Sequence, residues 1–135
     1  MHILFVSGVT PIVTDEAAAR RFYVDALGLP LTGDDYVSSD ALPGTRHFGV
    51  WPLRMAAQSC FGRDEWPSTH PIPQATIEFE LASVDAVAAA ADELTDTGHQ
   101  LLHGARREPW GQTVARVQTP DGLLIGLSHA PWMHT

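Results

Sequence analysis

The sequence predicts an α+β fold built from two βαβββ modules whose mixed sheets curl into a cup. Three observations predict it. Strand-like and helix-like segments follow one another in the same order twice. Each helix carries one apolar stripe and so covers one face of its own sheet. A Pro-rich stretch from Gly62 to Pro73 separates the two series. The uncovered faces, set side by side, leave a hollow for a ligand. One domain spans residues 1–135, with module 1 over about 1–61, a linker over 62–73 and module 2 over about 74–135.

Module 1 opens with Phe5 to Thr14, rich in Val, Ile and Thr, which reads as a strand. Pro11 within it cannot donate to a ladder, so an edge or bent strand is expected. A helix follows from about Asp15 to Leu27, with Ala19, Phe22, Tyr23, Ala26 and Leu27 on one face. Thr14 or Asp15 caps its start and Gly28 ends it. Strands near Leu31 to Ser38 and Thr45 to Leu53 come next, joined through Leu42-Pro43-Gly44. Arg54 to Phe61 has no strand pattern and reads as a helical turn, which leaves this module one strand short.

Module 2 begins with Ala75 to Leu81, an alternating strand. Ser83 caps a helix whose stripe is Val84, Val87, Ala88, Ala91 and Leu94, closed by Gly98. Strands near His99 to His103, Thr113 to Gln118 and Leu123 to His129 complete it, the last two joined by the Thr119-Pro120-Asp121-Gly122 turn.

A net charge of −8, with only 8 Lys or Arg, excludes phosphate-backbone recognition of nucleic acid. No apolar run approaches the ~20 residues of a membrane span. The opening Met1 to Val6 lacks a basic n-region and reads as mature protein, not a leader. Cys60 stands alone, which excludes an internal disulfide framework. The expectation is a cytoplasmic protein that binds a small molecule.

Several segments resemble the vicinal oxygen chelate superfamily, which holds glyoxalase I, extradiol dioxygenases and bleomycin- and mitomycin-binding resistance proteins. They are Asp15 with Phe22-Tyr23-Val24-Asp25-Ala26-Leu27-Gly28-Leu29, then Phe79-Glu80-Leu81 leading to Val84-Asp85, then Pro109-Trp110-Gly111, and Thr119 to Ile125. The resemblance implies the glyoxalase/bleomycin-resistance fold and four metal-ligand positions. Matched by spacing, the first falls at Gly8, the His position at Thr76, and the last-strand Glu at Gly126. The fourth lies near Val50 to Leu53, where no carboxylate occurs. Fold is not function, and this ligand set points to the metal-free, bleomycin-resistance-like branch. No metal or other cofactor is expected.

Strand alternation supplies the cup lining. Thr76, Glu78 and Glu80 face inward, with Arg116 and Arg54 as candidate partners, or else the two carboxyls stand at a hydrated rim. Gly126 and Ser128 face inward on the last strand, and Gly8 and Thr10 on the first. The two glycines either open volume for a flat ligand or mark a bulge or close backbone approach. Trp51 shares parity with His47, while Trp66 lies in the linker and Trp110 before a hairpin strand. Indoles stack on planar ligands or simply fill a core. Phe61 and Met55 shape the pocket mouth. His99 and His103 lie ~13 Å apart on a strand, too far to share an ion, and His129 and His134 read as solvated. Cys60 reads as a buried small hydrophobe.

The function expected is a metal-free protein of the bleomycin-resistance type, sequestering an aromatic or polycyclic, cationic metabolite or antibiotic, as a homodimer. The alternative is a glyoxalase-fold enzyme of the lyase, isomerase or dioxygenase class. It would use Glu78 and His47 as acid–base residues, or a non-standard metal site of Glu78, Glu80 and His47. A third option is an accessory protein that contacts a partner through exposed aromatics.

Overall fold

The computed structural model describes residues 1–134. Strands β1 (Phe5–Val13), β2 (Val37–Ser39), β3 (Phe48–Pro52), β4 (Ala75–Glu80), β5 (Leu101–Arg107), β6 (Thr113–Gln118) and β7 (Leu124–His129) form one mixed sheet. Its order is β2-β3-β1-β4-β7-β6-β5. Helices are α1 (Glu16–Arg20, prolonged over Arg21–Ala26 with π geometry), α2 (Leu53–Phe61) and α3 (Val84–Asp96). Each half begins with a strand that returns through a helix and hairpin strand to lie parallel to itself: β1 beside β3, β4 beside β7. The halves meet where β1 and β4 pair antiparallel, with a bulge between Val6 and Gly8.

The expected missing strand of module 1 is α2, opened by Pro52 and ended by Gly62 at φ +74°. Capping follows the sequence signals. Asp15 accepts from the Ala18 N–H at 2.9 Å and Ser83 from the Ala86 N–H at 3.0 Å.

Three expectations are corrected. β1 is an interior strand, not an edge. Val9 N–H donates to the His47 carbonyl on the β3 side, and alternation turns position 11 the same way, so Pro11 costs one bond of that ladder. In α1, Phe22 and Leu27 are 53% exposed, because the switch to i→i+5 bonding, with Leu27 N–H donating to Phe22 O, adds a residue to the turn and rotates the stripe. Ala19 and Tyr23 pack inward as expected, joined by Val24, with Leu31, Val37 and Val50. On α3 the buried stripe is Val87, Ala90 and Ala91, while Val84 is 51% exposed.

Besides the α1 core, two further clusters hold the sheet. Val87, Ala90 and Ala91 pack on Leu81, Ala115 and Leu127 under module 2. Across the sheet, α2 brings Ala56 and Cys60 against Ile12, Trp51 and Leu124. Among the described residues, no helix is long and apolar enough to cross a membrane.

Candidate functional site

The concave face of the sheet encloses a cavity of about 340 Å³, within the range of small-ligand pockets. Its floor is polar: Ser7, Gly8 and Thr10 of β1, Thr76 and Glu78 of β4, Arg116 of β6 and Ser128 of β7. Apart from Ser7, which lies at the β1 bulge, these positions follow the two-residue period of their strands. Its walls are mostly apolar. Trp51 and Met55 come from β3 and α2, Trp110 and Gln112 from the β5–β6 connection, and Ala130, Trp132 and Met133 from the C-terminal segment. Tyr36 and His47 close the remaining side.

Glu78 occupies the centre of the floor. It is in register with Gly8 on one side and Gly126 on the other. Its carboxyl lies over Gly126, where a β-carbon would sit 1.5 Å from Oε2. Oε2 is buried with no hydrogen-bond partner among the described residues. Burial raises the Glu78 pKa above the usual carboxylate value, opposed by the positive charge of Arg116.

Arg116 is itself held rigidly, with its side chain 1% exposed. Its Nη1 donates to Glu108 Oε1 and to Ser59 Oγ, both at 2.8 Å, and lies 3.2 Å from His103 Nε2. The Ser59 hydroxyl also donates to Glu108 Oε1, at 2.7 Å. Burial alone would raise the Glu108 pKa, but the bonds from Arg116 and Ser59 hold it below the usual value. The guanidinium carbon stands 5.4 Å from the Trp51 ring centre, a cation–π contact that steadies that wall.

A second polar chain reaches the cavity from outside. Asp40 Oδ1 lies 2.5 Å from His47 Nδ1, and His47 Nε2 lies 2.5 Å from the Tyr36 hydroxyl. The Tyr36 ring passes directly over Gly49, where a β-carbon would meet Oη at 2.1 Å. Burial pushes the Tyr36 phenol pKa well upward.

Ten of the residues singled out from sequence meet at this cavity: Gly8, Thr10, His47, Trp51, Met55, Thr76, Glu78, Trp110, Arg116 and Ser128. Five lie elsewhere. Arg54 points outward to Glu16 and Asp35, so it does not partner the inner carboxyls. Phe61 and Trp66 pack edge-to-face on each other at 4.9 Å, against the α2 core. Glu80 is fully buried, neither in the cavity nor at a wet rim, and bonds to the Ala130 N–H and His134. Gly126 is covered by Glu78, so the space above it is filled and not left open for a ligand. His129 and His134 are not solvated tail residues, since their side chains are only 14% and 24% exposed.

Sequence reasoning missed Ser7, Tyr36, Gln112, Ala130 and Met133. Ser7 follows the bulge that breaks the β1 alternation. The C-terminal segment lies beyond the last strand and carries no periodicity. Tyr36 left one signal, a glycine at position 49 in an otherwise bulky strand.

The positions at which the family resemblance places metal ligands do not fit a metal here. Glycine fills two of them and Thr76 a third, and the Glu78 carboxyl blocks the space a residue-126 side chain would need. Glu78, Glu80 and His47 do not converge either. Among the described residues, the donors that come together are those of Glu80, His129 and His134.

Solved structures share this fold. A glyoxalase/bleomycin resistance protein/dioxygenase superfamily member from Vibrio splendidus 12B01 superposes with TM-score 0.58 at 18% identity, over 94% of this chain and 99% of that one. Methylmalonyl-CoA epimerase from Mycobacterium tuberculosis gives 0.58 at 19%, over 97% and 91%. A single-residue variant of Streptomyces coelicolor methylmalonyl-CoA epimerase, in complex with 2-nitronate-propionyl-CoA, gives 0.55 at 16%, over 96% of each chain. No curated protein matches this chain in sequence. The family model for the Glyoxalase/Bleomycin resistance protein/Dioxygenase superfamily matches residues 7–127, nearly the whole sheet and its cavity, and the chain belongs to that superfamily.

Proposed function

We propose that this protein binds a flat aromatic or polycyclic small molecule bearing a cationic or N–H donor group, in the manner of an antibiotic- or metabolite-sequestering protein. One observation carries the reading. Trp51, Trp110 and Trp132 wall the same cavity whose floor presents a Glu78 oxygen without a partner among the described residues. Indole faces stack on planar rings, and a desolvated carboxyl gains most from a donor that arrives with the ligand. Among the described residues, no side chain at the family's ligand positions supplies a metal donor set, so recognition rests on stacking and on Glu78.

Tryptophan fluorescence titration with aromatic amines and their neutral isosteres tests this. Saturable quenching by amines is expected, weakened at least tenfold by Glu78→Gln and by Trp51→Phe. A flat response across the panel overturns it and favours a protein-contact role for the aromatics.

A second reading is supported by the Tyr36 hydroxyl and Glu78 opening into one cavity. Glu78 would take a proton from a carbon acid and the Tyr36–His47 pair would return one. Deuterium incorporation from heavy water into a bound candidate, lost in Glu78→Gln, distinguishes catalysis from binding. We also propose a cytoplasmic homodimer. The exposed Ile3, Leu4, Val6 and Val9 supply apolar surface for self-association, and a monomer by light scattering at micromolar concentration overturns it.

A further inference from the structure

Glu80, at the end of β4, has a side chain with no exposed surface. Its Oε2 accepts from the Ala130 N–H at 2.6 Å and from His134 Nε2 at 2.7 Å. Its Oε1 is equally buried and has no partner among the described residues. Among those residues no Lys or Arg forms an ion pair with it, the Arg46 guanidinium sitting instead over the Phe5 ring at 4.4 Å. A buried carboxyl with one oxygen unserved is costly unless something further binds it.

The neighbours able to share such an occupant are in place. The His129 and His134 rings lie 4.5 Å apart between centres. The His129 ring is oriented by its Nδ1–H, which donates to the Leu81 carbonyl at 3.1 Å. A carbonyl holding one ring nitrogen is the usual support of a metal-binding imidazole. One donor atom from each of Glu80, His129 and His134 lies within 4.8 Å of the other two. Donors around a tetrahedral ion with bonds of ~2.0–2.1 Å stand ~3.4 Å apart, so the 2.7 Å His134–Glu80 contact opens as the ion replaces its shared proton while the wider separations close, adjustments that side-chain torsions supply.

We propose that Glu80, His129 and His134 form a site for Zn²⁺ or a similar imidazole-seeking divalent ion, which ties the C-terminal segment onto β4 and β7. Two imidazoles and one carboxylate favour such ions over Mg²⁺ or Ca²⁺, which prefer all-oxygen shells. The segment so tied carries Trp132 and Met133, which wall the cavity. Ion occupancy therefore sets how firmly that wall is held. The site lies apart from the family's ligand positions, and its occupancy is read without any cavity ligand.

The test uses the full chain, stripped with chelator, titrated with Zn²⁺ alone against a chromophoric competitor and followed by thermal unfolding. One equivalent bound at micromolar or tighter Kd is expected, with a rise in Tm that Mg²⁺ at the same concentration does not give. His134→Ala and His129→Gln each weaken binding at least tenfold while keeping the parent far-UV circular dichroism. Trp132→Phe removes the Zn²⁺-dependent change in fluorescence without altering stoichiometry. No saturable binding overturns the site, and so does binding that both histidine variants leave unchanged.

Discussion

The carboxyl of Glu78 lies across the bare Cα of Gly126, and a β-carbon there would stand 1.5 Å from Oε2 and 2.5 Å from Cδ. The two residues are partners in the parallel β4–β7 ladder, so backbone pairing, not a flexible loop, sets the overlap. Gly126→Ala must therefore swing the carboxyl into the cavity. Because the displaced group ends a flexible side chain, the stability cost is about 1 kcal/mol, whereas amine quenching weakens at least tenfold. In a Glu78→Ala background the same substitution costs less than half as much, measured by urea denaturation of the double-mutant cycle. Equal costs in both backgrounds would show that the overlap is not what glycine serves.

Arg116 and Glu108 form a buried ion pair that joins β6 to the β5–β6 connection, with Ser59 of α2 as third partner. Glu108→Ala leaves a guanidinium 1% exposed without its counter-charge, and about 3 kcal/mol of stability is lost. Arg116→Met combined with Glu108→Leu loses less than either single change, since an apolar pair needs no desolvated charge to be balanced. Chemical denaturation measures both.

His103 gives the fold a pH dependence of predictable sign. Burial, with the Arg116 and Arg106 charges nearby, lowers its pKa from 6.5 to about 4, against a raising bond to the Gly104 carbonyl. Between these values the unfolded chain holds more protons than the folded one, so stability falls as pH drops from 6.5 towards 4. Its contribution is complete above 6.5. Solvent screening on a ring this exposed leaves a loss of order 1 kcal/mol. Denaturation midpoints measured across that window should slope less in His103→Gln than in the parent. An unchanged slope would place the titration elsewhere.

Local signals carried most of the architecture. The caps at Asp15 and Ser83, the strand-less run that became α2, and the inward parity of Thr76 and Glu78 all depend on neighbours within a few residues. What escaped was set by distant pairing. The place of β1 inside the sheet depends on β3 and β4, which the Pro11 rule, a single-strand argument, does not see. The π geometry that turns Phe22 outward has no composition signal. Glu80 finds its partners 50 and 54 residues away in a tail without periodicity, so alternation placed it on the right face and in the wrong surroundings. The cavity was legible on its strand floor and at Trp51 and Trp110, and not at Tyr36, Gln112, Ala130 and Met133, which loops and the C-terminal segment bring to its walls.

Gly49 and Tyr36 supply the last test, because here the covering group is a ring that cannot easily swing aside. A β-carbon at position 49 meets Tyr36 Oη at 2.1 Å, Cζ at 2.5 Å and Cε1 at 2.8 Å. The ring is further fixed by its contact with His47, stacked at 5.9 Å between centres. Gly49→Ala is therefore expected to cost about 2 kcal/mol or more as the ring and β3 are forced apart. Removing only the hydroxyl in Tyr36→Phe does not rescue it, since Cζ and Cε1 still clash, whereas Tyr36→Ala does, apart from its own cavity cost. Rescue by Tyr36→Phe would instead mean that the hydroxyl alone, held by His47, makes glycine necessary at position 49, and equilibrium unfolding of the six proteins of the two cycles separates the two cases.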